Sequence, residues 1–508
     1  MVNAALSSDA PVGVVGGGAM GAGIAQVALA AGHPVMLLEV SEDRAAAAHA
    51  AVTAGLHGAA ERGKLTQDAA NGMAQALRVT TDVQSLWDCA LVIEAIAEDL
   101  AVKRALFAEL EAVVPADCVL ATNTSSLSIE SVAAELAHPE RLAGMHFFNP
   151  APVMQLVEIV AGLSSSPDVL SALEQTAQAW GKQTVRCASA PGFVVNRVAR
   201  PFYSEALALI ESTGLAAEDI DGLFRDAGGF RMGPLQLTDL IGQDVNAAVT
   251  ESVWRALNQD PRNRPSALQR QMVDAGRLGR KTGRGFYEYT TQQAPDSATR
   301  PTAAATGLKA TGLKVDIGPD SALRPLVDRL DLSVSESQEL GRWARLPSGA
   351  LLGLTDGRLA TEHARDAGCD VVLVDLALDW ARAARLGATA NDTCPDHVKA
   401  EVADLLAPLP VTWLPDEPGL VIARTVALLV DEAVALCSSQ GIAPTELDRA
   451  VTLALGYPLG PLAWGQRLGA SYVVRLLDAM ERLQPGGRFR VCSALRRAAL
   501  TGSALDGS

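Results

Sequence analysis

From Pro11 to about Cys187, short runs rich in Val, Ile and Leu alternate with longer Ala-rich stretches whose apolar residues recur every three or four positions. The short runs are "VGVV", "VMLLEV", "ALVIEAI", "CVLATN", "LAGMHFF", "QLVEIVAG" and "QTVRCA". Each predicts a strand, and each intervening stretch a helix. Strands and helices in alternation predict parallel pairing through right-handed crossovers, hence a doubly wound Rossmann-type α/β sheet whose ligand lies at the carboxyl ends of the strands.

After "SAPGFVVNR" the apolar spacing becomes helical throughout, as in "FYSEALALIESTG" and "ALQRQMVDAGRLGRK". An all-α domain is expected there, closing with "GRKTGRGFYEYT". Residues 291–318 are rich in Ala, Thr, Pro and Gly and read as a linker. Residues 319–415 alternate strand and helix again but have no glycine-rich turn. They read as a structural spacer in preference to the shrunken remnant of a second nucleotide domain. Residues 418–462 align without a gap on 191–235, every match lying 227 positions apart, so that Gly192, Arg197, Glu205, Gly214, Asp221 and Gly233 fall on Gly419, Arg424, Glu432, Gly441, Asp448 and Gly460. The helical domain therefore occurs twice. The expected division is 1–188, 189–290, the linker, 319–415 and 416–508.

Composition narrows the chemistry. With 508 residues, 49% apolar and 20% charged, the chain reads as a soluble globular protein of about three domains. A net charge of −16 repels phosphate backbones and anionic lipid, so neither nucleic acid nor membrane is an expected partner. Seven cysteines without a CxxC pair suggest neither a disulfide framework nor a metal site. No apolar run reaches the roughly 18 residues that span a bilayer, and no signal-peptide pattern opens the chain, so a cytoplasmic enzyme of small molecules is expected.

In "VGVVGGGAMGAGIA" the spacing Gly16-x-Gly18-x-x-Gly21 follows a predicted strand and opens a predicted helix. Gly16 makes the tight turn, Gly18 admits a pyrophosphate to the backbone, and Gly21 lets helix and strand pack, with Ala19 and Met20 completing the contact. Glu39 ends the next strand 18 residues on. There it would accept bonds from an adenosine ribose and repel a 2′-phosphate, which points to NAD over NADP. His146 lies among apolar strand residues, and the short turn "NPAP" would bring it beside Glu158 on the following strand. A carboxylate holding one ring nitrogen would raise the basicity of the other and fit it to take a proton from an alcohol.

The blocks "GGGAMGAGIA", "AIAEDLAVK", "TNTSSLSI", "GMHFFNPAPVMQLVEIV", "PGFVVNR" and "GPLQLTDLIGQD" together resemble the L-3-hydroxyacyl-CoA dehydrogenases, in order and in spacing. The likeness covers about Pro11 to Tyr289, and the repeat extends it to about Val474. It implies oxidation of an acyl-CoA thioester at its 3-hydroxyl with NAD and without a metal. His146 would be the general base and Glu158 its orienting partner. Ser125 and Asn196 would lie near the reacting oxygen, with Glu98, Lys103, Asn123 and Asn149 around the ribose and nicotinamide. Long forms with the repeat resemble bacterial dehydrogenases of aromatic-acid breakdown of the phenylacetate type, whose substrate is 3-hydroxyadipyl-CoA; 3-hydroxybutyryl-CoA enzymes are nearly as similar. Arg200 and Arg231 are candidates for a terminal carboxylate, and Arg62 and Lys64 for CoA phosphates. The second helical copy, in which Ala423 stands where Asn196 would, is expected to pack internally as a second subunit does in short relatives, the alternative being a homo-oligomer. Rival readings are a hydroxy-acid or sugar-acid dehydrogenase with the same dyad, and an inactive structural relative.

Overall fold

The computed structural model describes residues 5–289, 314–407 and 409–506. They form two compact units, Met1–Arg197 with Arg449–Leu455, and Val198–Asp448 with Gly456–Ser508.

The first unit is built on eight strands, β1 (Val12–Val15), β2 (Val35–Leu38), β3 (Leu77–Thr80), β4 (Leu91–Glu94), β5 (Val119–Thr122), β6 (Leu142–Phe147), β7 (Leu156–Ala161) and β8 (Gln183–Ala188), in the order β3-β2-β1-β4-β5-β6-β7-β8. Strands β1, β4 and β5 are buried at every position, as expected for a parallel sheet covered on both faces. The order reverses between β1 and β4, which opens the crevice where such sheets hold ligands. Two features depart from the sequence reading. Strand β3 has a single fully buried residue, Leu77, and is too weakly apolar to stand out. Strand β7 runs antiparallel to β6, because eight connecting residues without a crossover helix can only return the chain on itself.

The second unit holds both helical copies and the sheet segment between them. Helices Pro234–Ile241 and Gln243–Ala256 recur as Pro461–Leu468 and Ala470–Leu483, at the same 227-residue offset as the sequence matches. Turn geometry recurs too. Gly214 and Gly441 end corresponding helices at φ of 72° and 70°, left-handed angles that glycine alone takes without strain. Asp221 accepts from the N–H groups of Leu235 and Gln236, and Asp448 accepts from those of Leu462 and Ala463.

An aromatic cluster joins the copies, with Phe202 and Phe230 packed on Tyr457, and Phe230 on Trp464. Buried ion pairs cross the same boundary in both directions. Glu205 Oε1 accepts from Arg488 Nη2 at 2.6 Å, and Oε2 from Arg424 Nε at 3.0 Å. Arg262 Nη1 lies 2.8 Å from Asp431 and 2.9 Å from Glu432, the repeat partner of Glu205.

Between the copies lies a mixed sheet of β9 (Lys314–Ile317), β10 (Ser333–Glu336), β11 (Ala344–Arg345), β12 (Leu351–Leu354), β13 (Val371–Val374), β14 (Leu386–Ala390) and β15 (Val411–Trp413), in the order β10-β9-β11-β12-β13-β14-β15. Strand β9 corrects the end of the expected linker, since Val315 and Ile317 turn inward from a stretch too short to show its two-residue period. The remainder of that linker lies outside the described residues.

The turn after β12 joins a strand to a helix as the turn after β1 does, but its N–H groups are consumed internally. Asp416 accepts from Ala360 N at 2.7 Å and Thr361 N at 2.9 Å, at the start of helix Ala360–Ala367. A carboxylate of the chain thus sits where a phosphate would. Burial pushes the nearby Asp356 carboxyl up, but His363 and Arg342 outweigh it and hold the pKa at about 2.

Candidate active site

The loops that follow β1, β2, β4, β5 and β6 share one edge of the first sheet, as parallel pairing requires. Helix α1 (Ala19–Ala30) starts there at Gly18, with no side chain capping its N–H groups. A Cβ added at Gly18 would meet no heavy atom within 4 Å, whereas one at Gly21 would lie 1.7 Å from Gly16 O. Gly18 therefore borders open space, and Gly21 is obligatory for packing. Free N–H donors at a helix start facing an open cradle fit the pyrophosphate of a dinucleotide. Ala19 is exposed and Met20 partly so, on the same rim.

Glu39 is buried beside this loop, where Oε1 accepts from Gly17 N at 2.8 Å and Oε2 from Val40 N at 3.0 Å and Arg44 Nε at 2.9 Å. Burial alone would raise its pKa, but Arg44 and these N–H groups bring it below the ordinary glutamate value, so the group is a carboxylate. Arg44 is 62% exposed, and such a pair does not commit the carboxylate against a ribose.

Next to the crevice lies the dyad. His146 and Glu158 are direct register partners across β6 and β7, with Nδ1 and Oε2 2.6 Å apart. A carboxylate only accepts, so Nδ1 is the donor in this pair, and in the neutral ring the lone pair is on Nε2. Among the described residues, Nε2 has no hydrogen-bond partner. The rings of Phe148 and Phe193 flank the imidazole, at centroid distances of 4.7 and 5.7 Å. The other oxygen of Glu158 accepts from Val194 N at 3.1 Å and Val195 N at 2.9 Å. One carboxylate thus orients the histidine and anchors the short helix Val195–Val198, which carries Asn196.

Several of the expected contact residues also have partners within the fold. Asn123 Oδ1 accepts from Phe147 N at 2.8 Å, tying the end of β5 to the residue after His146. Lys103 is 1% exposed, with Nζ 2.5 Å from Glu94 and 3.2 Å from Glu98. It is not the solvated helix charge its position would suggest. Glu98 Oε1 accepts from Thr124 Oγ1 at 2.7 Å, Ser125 N at 3.0 Å and Ser126 N at 3.2 Å, so it clamps the turn that presents Ser125. Burial raises the Glu98 pKa, but Lys103, Thr124 and Ser125 bring it below the ordinary value.

Sequence reasoning missed Glu94, which is fully buried and also accepts from Thr122 Oγ1 at 2.7 Å. An acidic residue inside the apolar run "ALVIEAI" was its signal, since a charge in such a place must be paired. Asn149 is exposed on the β6–β7 turn. Arg200 is buried, with Nη1 3.0 Å from Thr250 Oγ1, which rules out simple surface solvation. Arg231, Arg62 and Lys64 are exposed.

The comparisons with known proteins agree with this geometry. Residues 11–190 match the model for the 3-hydroxyacyl-CoA dehydrogenase NAD binding domain, and residues 192–289 and 419–505 both match the C-terminal domain of that enzyme. Residues 352–418 match the reduced Rossmann-fold domain of 3-hydroxybutyryl-CoA dehydrogenase. The segment read chiefly as a spacer is thus the remnant of a nucleotide fold. The chain is 41% identical to 3-hydroxyadipyl-CoA dehydrogenase of Escherichia coli K12, over 97% of this chain and 98% of that one. A 3-hydroxybutyryl-CoA dehydrogenase of Mycobacterium tuberculosis is 41% identical over 55% of this chain and 98% of its own. The crystal structure of 3-hydroxybutyryl-CoA dehydrogenase from E. coli K12 superposes with a TM-score of 0.85 at 39% identity, covering 97% of this chain and 99% of that one. With an NAD-binding fold, a His–Glu pair beside its crevice and a helical domain present twice, the chain belongs to the 3-hydroxyacyl-CoA dehydrogenase family.

Proposed function

We propose that the protein oxidises the 3-hydroxyl of an L-3-hydroxyacyl-CoA, that 3-hydroxyadipyl-CoA is its substrate, and that His146 is the base. The observation that carries the chemistry is the 2.6 Å contact between His146 Nδ1 and Glu158 Oε2. The full-length likeness to an E. coli enzyme of that name supports the substrate. The 3-hydroxybutyryl-CoA reading has its own support in the full-length E. coli structure that carries the other name.

In this mechanism Nε2 of His146 takes the proton from the 3-hydroxyl as the C3–O bond becomes a carbonyl. Glu158 stabilises the imidazolium that forms and keeps its free nitrogen facing the crevice. Ser125 and Asn196 hold the reacting oxygen, Ser125 on the turn clamped by Glu98 and Asn196 on the helix anchored by Glu158. The Gly16–Gly21 loop holds the pyrophosphate of NAD, Glu39 the adenosine ribose, and Asn149 with the turns at Glu98 and Asn123 borders the nicotinamide. When bound, NAD would supply the redox chemistry as acceptor of the C3 hydride.

We also propose one cofactor site per chain, since Asp416 fills the corresponding place in the reduced fold. The paired helical copies supply internally the packing that two subunits would provide, and a cytoplasmic location fits seven unpaired cysteines. Appearance of NADH, followed by absorbance with the two thioesters and a free 3-hydroxy acid side by side, tests the function. The expected order of kcat/KM is adipyl, then butyryl, with the free acid negligible. ADP-ribose titration should saturate at one per chain. A preference for the butyryl substrate removes the first substrate assignment, and turnover of the free acid at a comparable rate removes the acyl-CoA reading.

A further inference from the structure

The β6–β7 turn, residues 148–155, leaves the strand that bears His146 and returns as the strand that bears Glu158. Two of its carbonyls, those of Ala151 and Met154, point inward and accept from Lys182 Nζ at 2.7 and 2.8 Å. Lys182 is 7% exposed and makes no ion pair among the described residues. Burial without a counter-charge pulls its amine below the ordinary lysine range. Gly181, at a φ of 75°, turns the chain out of helix Pro167–Ala179 and aims Lys182 under the turn.

Helix α1 also leans on this turn. A Cβ at Gly23 would lie 3.1 Å from Pro152 and 3.2 Å from Ala151. The turn is therefore held both by the helix whose start is the pyrophosphate cradle and by a buried amine. A charged residue placed where it costs desolvation, and bonded only to that backbone, needs a reason beyond packing. We propose that Lys182 is a positioning residue for the redox site, its amine fixing the turn so that Asn149 and the end of the His146 strand face the nicotinamide. This rests on the cofactor placement proposed above. A neutral amine retains two N–H donors, so the clamp holds whichever protonation state is present.

The test compares Lys182→Met, which keeps the length and loses the donors, with Lys182→Arg, which keeps donors, in the full-length protein. Steady-state kinetics and binding of NAD and of ADP-ribose are measured. The second ligand lacks the nicotinamide, so it reports on the glycine loop alone.

For Lys182→Met, kcat/KM for NAD should fall at least about tenfold while the Kd for ADP-ribose stays within about twofold. The Arg variant should recover to within about threefold of the unsubstituted enzyme. Native kinetics in Lys182→Met overturns the proposal, and so does an equal loss of ADP-ribose affinity, which marks general damage to the fold. Should the Met variant fail to fold, Lys182→Leu, which also removes the donors, takes its place, and native kinetics in that variant likewise overturns the proposal. If the unsubstituted enzyme turns over neither thioester, the function assignment fails, while the NAD-to-ADP-ribose affinity ratio still decides the role of Lys182.

Discussion

His146→Ala is expected to lower kcat by at least about a hundredfold, the usual scale for a positioned acid–base group and about 2.7 kcal/mol of barrier. Cofactor affinity should change by less than about twofold, because the proposed placement gives the binding to the glycine loop and Glu39, and the imidazole makes no contact with either in the structure. Fold stability should fall by about 1–3 kcal/mol, because Oε2 of the fully buried Glu158 loses its donor. The ring has one polar partner, Glu158, whose other oxygen remains bonded to Val194 and Val195. NADH formation and NAD titration on the same preparation check both halves. Turnover within about tenfold of the unsubstituted enzyme would remove His146 from the mechanism.

The largest expected loss of stability follows Glu205→Gln. Glu205 is fully buried between two guanidinium groups, and Arg424 is itself only 3% exposed. Burial pushes the Glu205 carboxyl up, but Arg488 and Arg424 together outweigh it and its pKa ends below the ordinary value. The amide leaves Arg424 buried and uncompensated, at a cost of about 3–5 kcal/mol to the second unit, whereas Arg488 can turn toward solvent.

The pH dependence has a defined sign. A carboxyl whose folded pKa is lowered contributes fully above its unfolded value of 4.5 and loses that contribution as pH falls through the folded one. Denaturant unfolding, followed by a probe in the second unit, should show the loss at pH 7 and a smaller difference between variant and parent in acid. The double variant Glu205→Leu/Arg424→Met, which removes the buried charges as a set, should recover most of it. A Gln variant as stable as the parent would mean that the charge of Glu205 contributes nothing to holding the copies together.

Local pattern explains what the sequence made legible. The strands of the first sheet announce themselves as β-branched runs, the cradle as glycines at a strand–helix junction, and the dyad as two strands joined by a short turn. The repeat shows because prolines and glycines mark the same backbone angles twice. What stayed hidden depends on partners far along the chain. The partners of Lys103, Lys182, Arg200 and Glu205 cannot be read locally, because the fold alone supplies Glu94, the turn carbonyls, Thr250 and Arg424; the Glu205–Arg424 pair spans 219 residues. Strands β3 and β9 were illegible for another reason, since each buries only one or two side chains. The Rossmann likeness of the reduced sheet was hidden because no glycine loop marks it.

Asp375 does in the second half what one oxygen of Glu158 does in the first. It accepts from Val421, Ile422 and Ala423, and the residues before these twin segments, Phe193 and Leu420, share a left-handed φ of 49° and 52°. A buried acid clasping this junction therefore persists where no histidine needs it. In the proposed mechanism the first half puts a scaffold bond to chemical use, so any change at Glu158 disturbs architecture and chemistry in one stroke. A change at the imidazole leaves the backbone clasp in place.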